Sequence, residues 1–224
     1  SAYMRLTPGS SATSSRKMTA SFWCKRGNLG ITGRIFSADT SGSNNNRDSL
    51  FFNSDDNLWL YIDNGQASNL KTNRVFRDTS AWYHLVARYD STQSTASDRI
   101  RLYVNGELET SIDQDGTPDC PLNYTSQLAL SSVPLNIGNI ISGSSQFFSG
   151  IMSHYHLCVG YSYAPTEFGE VDATSGIWKI KTASYATPGT NGFHLKIMQM
   201  ECPKMYLKYI YQFQDQQNNK LDKQ

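Results

Sequence analysis

Arg99-Ile100-Arg101-Leu102-Tyr103-Val104-Asn105-Gly106-Glu107-Leu108-Glu109-Thr110 decides the fold class. Its first arm alternates apolar and polar side chains with period two, the signature of a half-buried strand. Asn105-Gly106 supplies the positive-φ residues of a type I′ turn, so a second arm returns antiparallel.

The same period recurs on both sides of this hairpin. In Met18-Thr19-Ala20-Ser21-Phe22-Trp23-Cys24-Lys25, the residues Met18, Ala20, Phe22 and Cys24 share one face. Asn57-Leu58-Trp59-Leu60-Tyr61-Ile62-Asp63-Asn64-Gly65 reads as a strand running into an Asn-Gly turn. Trp82-Tyr83-His84-Leu85-Val86-Ala87-Arg88-Tyr89-Asp90 is another strand, with Trp82 expected at its start and packed between sheets. Residues 135–138 and 147–157 add two more, and residues 40–48 and 91–98 are loops rich in turn formers. Helical periodicity is nearly absent up to about residue 200, and no internal repeat occurs. Many short strands at this spacing predict an all-β, two-sheet antiparallel jelly-roll sandwich, because each sheet needs a second to cover its apolar face.

Composition narrows the class of partner. Among 224 residues there are 20 basic and 19 acidic side chains, for a net charge of +1. Only 17% are charged, while 28 Ser, 17 Thr and 16 Asn do the solvating. A near-neutral balance argues against nucleic acid, which calls for clustered cations. No apolar run reaches membrane-spanning length, so no membrane insertion is expected. The chain opens Ser1-Ala2-Tyr3 without an initiator Met or a signal-like segment, which is read as processing or excision from a longer protein. Cys24, Cys120, Cys158 and Cys202 form no C-x-x-C pair and are expected to be buried free thiols.

The segments Trp82-Tyr83-His84-Leu85-Val86-Ala87-Arg88-Tyr89-Asp90, Arg101-Leu102-Tyr103-Val104-Asn105-Gly106-Glu107 and Phe148-Ser149-Gly150-Ile151-Met152-Ser153-His154-Tyr155-His156-Leu157, in that order, resemble a laminin-G-like, concanavalin A-like jelly roll. The likeness covers residues 18–165. Residues 1–8, 22–30, 168–179 and 185–196 are similar to jelly-roll proteins frequent in bacteriophage and marine viral genomes, usually fibre or other virion components. That resemblance implies a virion or extracellular location. The chain departs from the pattern at Ser153-His154, where relatives commonly carry an acidic residue, and from Met198 onward, where the sequence matches nothing. A shifted reading frame or a truncated source is one reading of that tail. Three regions are expected: a jelly roll over 1–165, an extension packed on the sandwich over 166–197, and a divergent tail over 198–224, a short helix or disordered. Trp178 is expected to pin the extension to the domain.

Catalysis on this fold uses Glu-x-Asp-x-x-Glu on a single strand, where alternation puts three carboxylates on one face. This chain has five Glu. Its nearest match, Glu170-Val171-Asp172, continues into Thr174-Ser175 instead of a second Glu, and Glu107 and Glu109 read as solvated hairpin carboxylates. No Gly-x-Ser-x-Gly elbow or Cys-His signature appears. The chain therefore reads as a non-enzyme, with a glycoside hydrolase as an outlying alternative.

Binding suits the scaffold better, because aromatic rings stack on sugar C–H faces and amides pair with hydroxyls without ionic cost. Asp39, Asn44, Asn45, Asn46, Arg47 and Asp48 form one polar loop, and Trp59, Tyr61, Asp63 and Asn64 a neighbouring strand and turn. Together they are the candidate ligand face, with core packing of Trp59 or Tyr61 as the competing reading. His154 and His156 stand two apart on one strand and are candidate metal ligands. The resemblance further implies calcium, to which Asp55 and Asp56 would contribute. The expected function is non-catalytic, lectin-like binding of glycans or cell-surface polysaccharide. A structural virion protein that contacts sister proteins or its own copies is the alternative.

Overall fold

The computed structural model describes residues 3–40, 46–113, 119–140 and 145–200. Fourteen strands follow one another among them: β1 (Met4–Leu6), β2 (Lys17–Arg26), β3 (Gly33–Ala38), β4 (Asp48–Phe52), β5 (Asn57–Ile62), β6 (Ser68–Val75), β7 (Tyr83–Asp90), β8 (Ile100–Val104), β9 (Glu107–Leu108), β10 (Leu135–Ile137), β11 (Gly150–Val159), β12 (Gly169–Val171), β13 (Trp178–Ile180) and β14 (Phe193–Met200). They form two six-stranded antiparallel sheets. The first has the order β1-β10-β3-β4-β5-β6, the second β14-β11-β2-β7-β8-β9, and β12 and β13 make a separate hairpin.

The sheets face each other because each strand keeps its apolar parity on the inside. Met18, Ala20, Phe22 and Cys24 of β2 are all fully buried in the core. Leu85, Ala87 and Tyr89 of β7 meet them there, with Leu58, Leu60 and Ile62 of β5. Asn105 (φ 50°) and Gly106 (φ 85°) turn β8 into β9, with Val104 opposite Glu107. Cys24, Cys120 and Cys158 are buried free thiols, and burial pushes Cys24 up to about 12. Cys202 lies outside the described residues.

Two local expectations fail. Trp82 does not pack between the sheets; it is 42% exposed, because Asp78 accepts hydrogen bonds from the Ser80 and Ala81 amides and holds a turn, delaying the ladder to Tyr83. His154 and His156 do not alternate regularly on β11. The pairing of β11 with β2 shifts register between Ser153 and His156, and His154 sits at φ 48°, a bulge that re-aims both rings.

Residues beyond β11 use the outer face of the second sheet. Trp178 Nε1 donates to His84 Nδ1 at 2.8 Å, and Arg88 Nε donates to Ser162 Oγ at 2.6 Å. His156 Nδ1 lies 2.9 Å from the Tyr185 hydroxyl, and the Phe168 ring packs beside it at 5.2 Å. β14 then pairs with β11 as an edge strand of that sheet. This face is therefore occupied by the chain itself.

Candidate functional site

The outer face of the first sheet is organised by cross-strand register. One row runs Arg5, Asn136, Ser37, Ser49, Tyr61, Asn69, each opposite the next on adjacent strands. A second runs Arg34, Phe51, Trp59, Lys71. The shift in the β3–β4 pairing between Arg34 and Phe36 lets Arg34 and Ser37 both point outward. Side chains opposite one another on the same face of neighbouring strands are in direct contact, so the rows are continuous surfaces.

The aromatic residues form one cluster. Phe51 and Tyr61 meet edge to face at 5.0 Å, Trp59 and Tyr61 at 5.3 Å, and Phe51 and Trp59 at 5.7 Å. Cations flank it: the Arg34 guanidinium lies 4.0 Å over Phe51, and the Lys71 ammonium 5.3 Å from Trp59. Trp59 and Tyr61 are half-buried on the outside of the sheet, not in the core. Burial raises the Tyr61 phenol above its ordinary range, and the nearby Arg34 opposes that rise.

One half of this face is more deeply buried and bonded within itself. Asn136 donates to Asn139 Oδ1 at 2.7 Å, and Arg34 Nε donates to Gln146 Oε1 at 2.7 Å. Asp39 and Arg47 form a buried ion pair at 3.0 Å on the same side. The other half, Trp59, Tyr61, Asn69 and Lys71, is only half-buried. Among the described residues, Ser37 Oγ, Trp59 Nε1 and Asn69 Oδ1 on this face are buried without a hydrogen-bond partner, as are Trp23 Nε1 and His194 Nε2 on the outer face of the second sheet.

The residues picked from sequence divide on this frame. Asp39, Arg47, Trp59 and Tyr61 belong to the face. Asp48 points into the sandwich, where it accepts from Ser126 Oγ at 2.6 Å and from the Gln127 and Asp63 amides; burial raises its carboxyl to about 6. Asp63 accepts a 2.6 Å hydrogen bond from the Tyr124 hydroxyl, and the Asn64 amide donates to the Arg47 carbonyl at 2.6 Å, so this turn braces the loop end. Asn46 is exposed at φ 76°, and Asn44 and Asn45 lie outside the described residues. Arg34, Phe51, Asn69 and Lys71 lie outside the one loop and the one strand and turn to which the sequence points. Their signal was outward parity on strands, as in Ser49-Leu50-Phe51 with Phe51 apolar on the polar side.

The metal candidates do not fit a cation. Asp56 accepts from Arg26 at 2.9 Å, Arg77 at 3.1 Å and the Gly30 amide at 2.9 Å, so guanidinium groups already occupy its oxygens. Asp55 is exposed and bonds to Asn53. The His156 ring stacks face to face on His194 at 3.8 Å, an arrangement that aims ring nitrogens in parallel instead of at one point. Among the described residues no group of three His, Cys, Asp or Glu converges on a metal-sized position. Glu170 and Asp172 are both drawn to Lys179, at 3.6 and 2.9 Å, and Glu109 is held by Arg74.

Two six-stranded antiparallel sheets packed face to face in this strand order make a jelly-roll sandwich. The chain belongs to the Concanavalin A-like lectin/glucanases superfamily, matched over residues 1–159. Comparison with curated proteins finds no match. Among solved structures, a SAP-like pentraxin of Limulus polyphemus is similar, at 21% identity and TM-score 0.47, covering 69% of this chain and 68% of that one. Mouse laminin α1 domains LG4-5 follow at 16% identity and TM-score 0.45, covering 70% and 38%. The CBM40 domain of the Ruminococcus gnavus IT-sialidase has 13% identity and TM-score 0.45, covering 66% and 86%. No helix among the described residues is long and apolar enough to cross a membrane.

Proposed function

We propose that the chain is a non-catalytic glycan-binding domain whose ligand lies across the outer face of the first sheet. The observation that carries this reading is the Phe51–Trp59–Tyr61 cluster on the outer face of the first sheet, where Trp59 and Tyr61 stay half-buried. The Trp59 and Tyr61 rings supply flat apolar contact for sugar C–H faces, and the half-buried Asn69 supplies a neutral amide for hydroxyls. Strand-borne side chains lose little freedom on binding, since packing already sets their rotamers. The carboxylates that an acid–base pair would require are tied to Lys179 and Arg74. Such sites bind weakly one at a time, and display in several copies raises the avidity. The likeness of residues 1–8, 22–30, 168–179 and 185–196 to viral jelly-roll proteins makes a particle or cell exterior the proposed setting.

The test is an avid multimer on a glycan array, compared with Trp59→Ala in the same format. Losing one stacking ring lowers apparent affinity about tenfold. Absence of binding to every glycan by the unmodified multimer would overturn the reading in favour of a structural protein.

A further inference from the structure

We infer that this face selects glycans bearing an anionic group, a carboxylate or a sulfate, which docks on Arg34. The inference rests on reading the face as a glycan site. Three arginines are buried in this molecule: Arg26 is 4% exposed, Arg34 6% and Arg47 2%. Arg26 pairs with Asp56 at 2.9 Å, and Arg47 with Asp39 at 3.0 Å. Arg34 has no carboxylate within ion-pair distance among the described residues. Its Nε donates to Gln146 Oε1 at 2.7 Å, its Nη1 to Ser49 Oγ at 2.8 Å, and the guanidinium lies over Phe51. These partners are neutral, so they satisfy hydrogen-bonding needs without cancelling the charge. Nη2 donates no hydrogen bond among the described residues.

A buried cation without a counter-charge is costly, and the usual remedy is a paired anion. The neighbouring Arg47 adds positive potential where Asp39 subtracts it. Burial, followed by Arg47, lowers Arg34 to about 10. The place of this charge in the site is informative. Arg34 heads the row that continues through Phe51 and Trp59 to Lys71. With strands about 4.8 Å apart the row spans roughly 14 Å, the length of a short oligosaccharide. At the far end, Lys71 is already paired with Asp113 at 3.0 Å. The row therefore has one unanswered charge, at one end, with rings beside it. A planar guanidinium fork suits a two-oxygen anion.

The experiment uses the full chain on an array of matched pairs: sialylated glycans with their desialylated forms, uronates with carboxyl-reduced forms, and sulfated glycans with desulfated forms. The expected result is binding to the acidic member at least about tenfold above its neutral match. That ratio collapses toward one in Arg34→Gln and is partly kept in Arg34→Lys, which retains the charge without the fork. The carboxyl-reduced and desulfated arms identify which anion is used. If acidic and neutral partners bind equally to the unmodified chain, or Arg34→Gln lowers both equally, the inference is overturned while the glycan reading stands. If nothing on the array binds, the glycan reading itself fails. Should Arg34→Gln not fold, the matched-pair ratio of the unmodified chain and of Arg34→Lys decides.

Discussion

At the scale of single residues, Gly106 shows how one position serves two structures. It turns the β8–β9 hairpin at φ 85°, a conformation that L side chains rarely adopt. It also lies under the Trp178 ring, so a Cβ added there would stand 2.5 Å from the indole. A side chain at this position meets backbone strain and overpacking together. Gly106→Ala is expected to cost about 2–4 kcal/mol, measured as a shift in the urea midpoint at unchanged slope. A loss below about 0.5 kcal/mol would mean that the Trp178 contact yields easily. The Asn-Gly pair identified the turn from sequence, because turn chemistry is local. Trp178 is expected to pin the extension, but nothing local shows that it lands on this hairpin, which it reaches only through the tertiary fold.

At the scale of elements, the same locality explains which parts were legible. Strands β2, β5, β7, β8 and β11 declare themselves by alternation, and the sequence points to Trp59 and Tyr61 as candidate ligand residues. The rest of the candidate face was not legible, because Arg5, Asn136, Ser37 and Asn69 become neighbours only when strands far apart in the chain pair. The bulge at His154 was equally hidden, and it governs how residues beyond β11 dock. The indole can only donate, so His84 Nδ1 must accept from Trp178, and Nε2–H donates to Ser21 Oγ at 2.9 Å. Protonating His84 would break the Trp178 bond. Burial lowers His84 to about 3 and His156 to about 2, the latter helped by His194 and His154; Tyr185 and Lys196 lie in the same layer. Both values fall below the unfolded 6.5, so these groups contribute stability above pH 6.5 that is lost as pH falls. Asp48, raised to about 6, works in the opposite sense between about pH 6 and 4. Three histidines, with His194 lowered to about 4 by burial and by His154, outweigh one aspartate, so the net effect below pH 6 is a loss of stability. The Tm should therefore fall steadily from pH 6.5 to 4.5. A flat profile would show that the docked layer accommodates charged imidazoles.

At the scale of the molecule, the sandwich has two outer faces with different fates. Residues 160–192 occupy one with Trp178, Phe168 and Tyr185, while the other keeps Trp59 and Tyr61 half-buried. A ligand that binds a sheet face therefore has one face to use. The four tryptophans report which. Trp23 stacks on His84 at 5.0 Å and Trp178 at 5.8 Å, both on the occupied face. Trp82 is exposed beside the turn held by Asp78, and Trp59 alone lies on the first sheet's outer row. Titration with a glycan positive on the array should change the intrinsic fluorescence through Trp59, whose indole passes from a half-buried setting to contact with a sugar ring. Trp59→Phe keeps a stacking ring, so some affinity survives, but the fluorescence change disappears. Trp82→Phe should retain the change in full. If the signal instead persists in Trp59→Phe and is lost in Trp82→Phe, the ligand sits on the loop side of the second sheet and the first sheet's rows are structural.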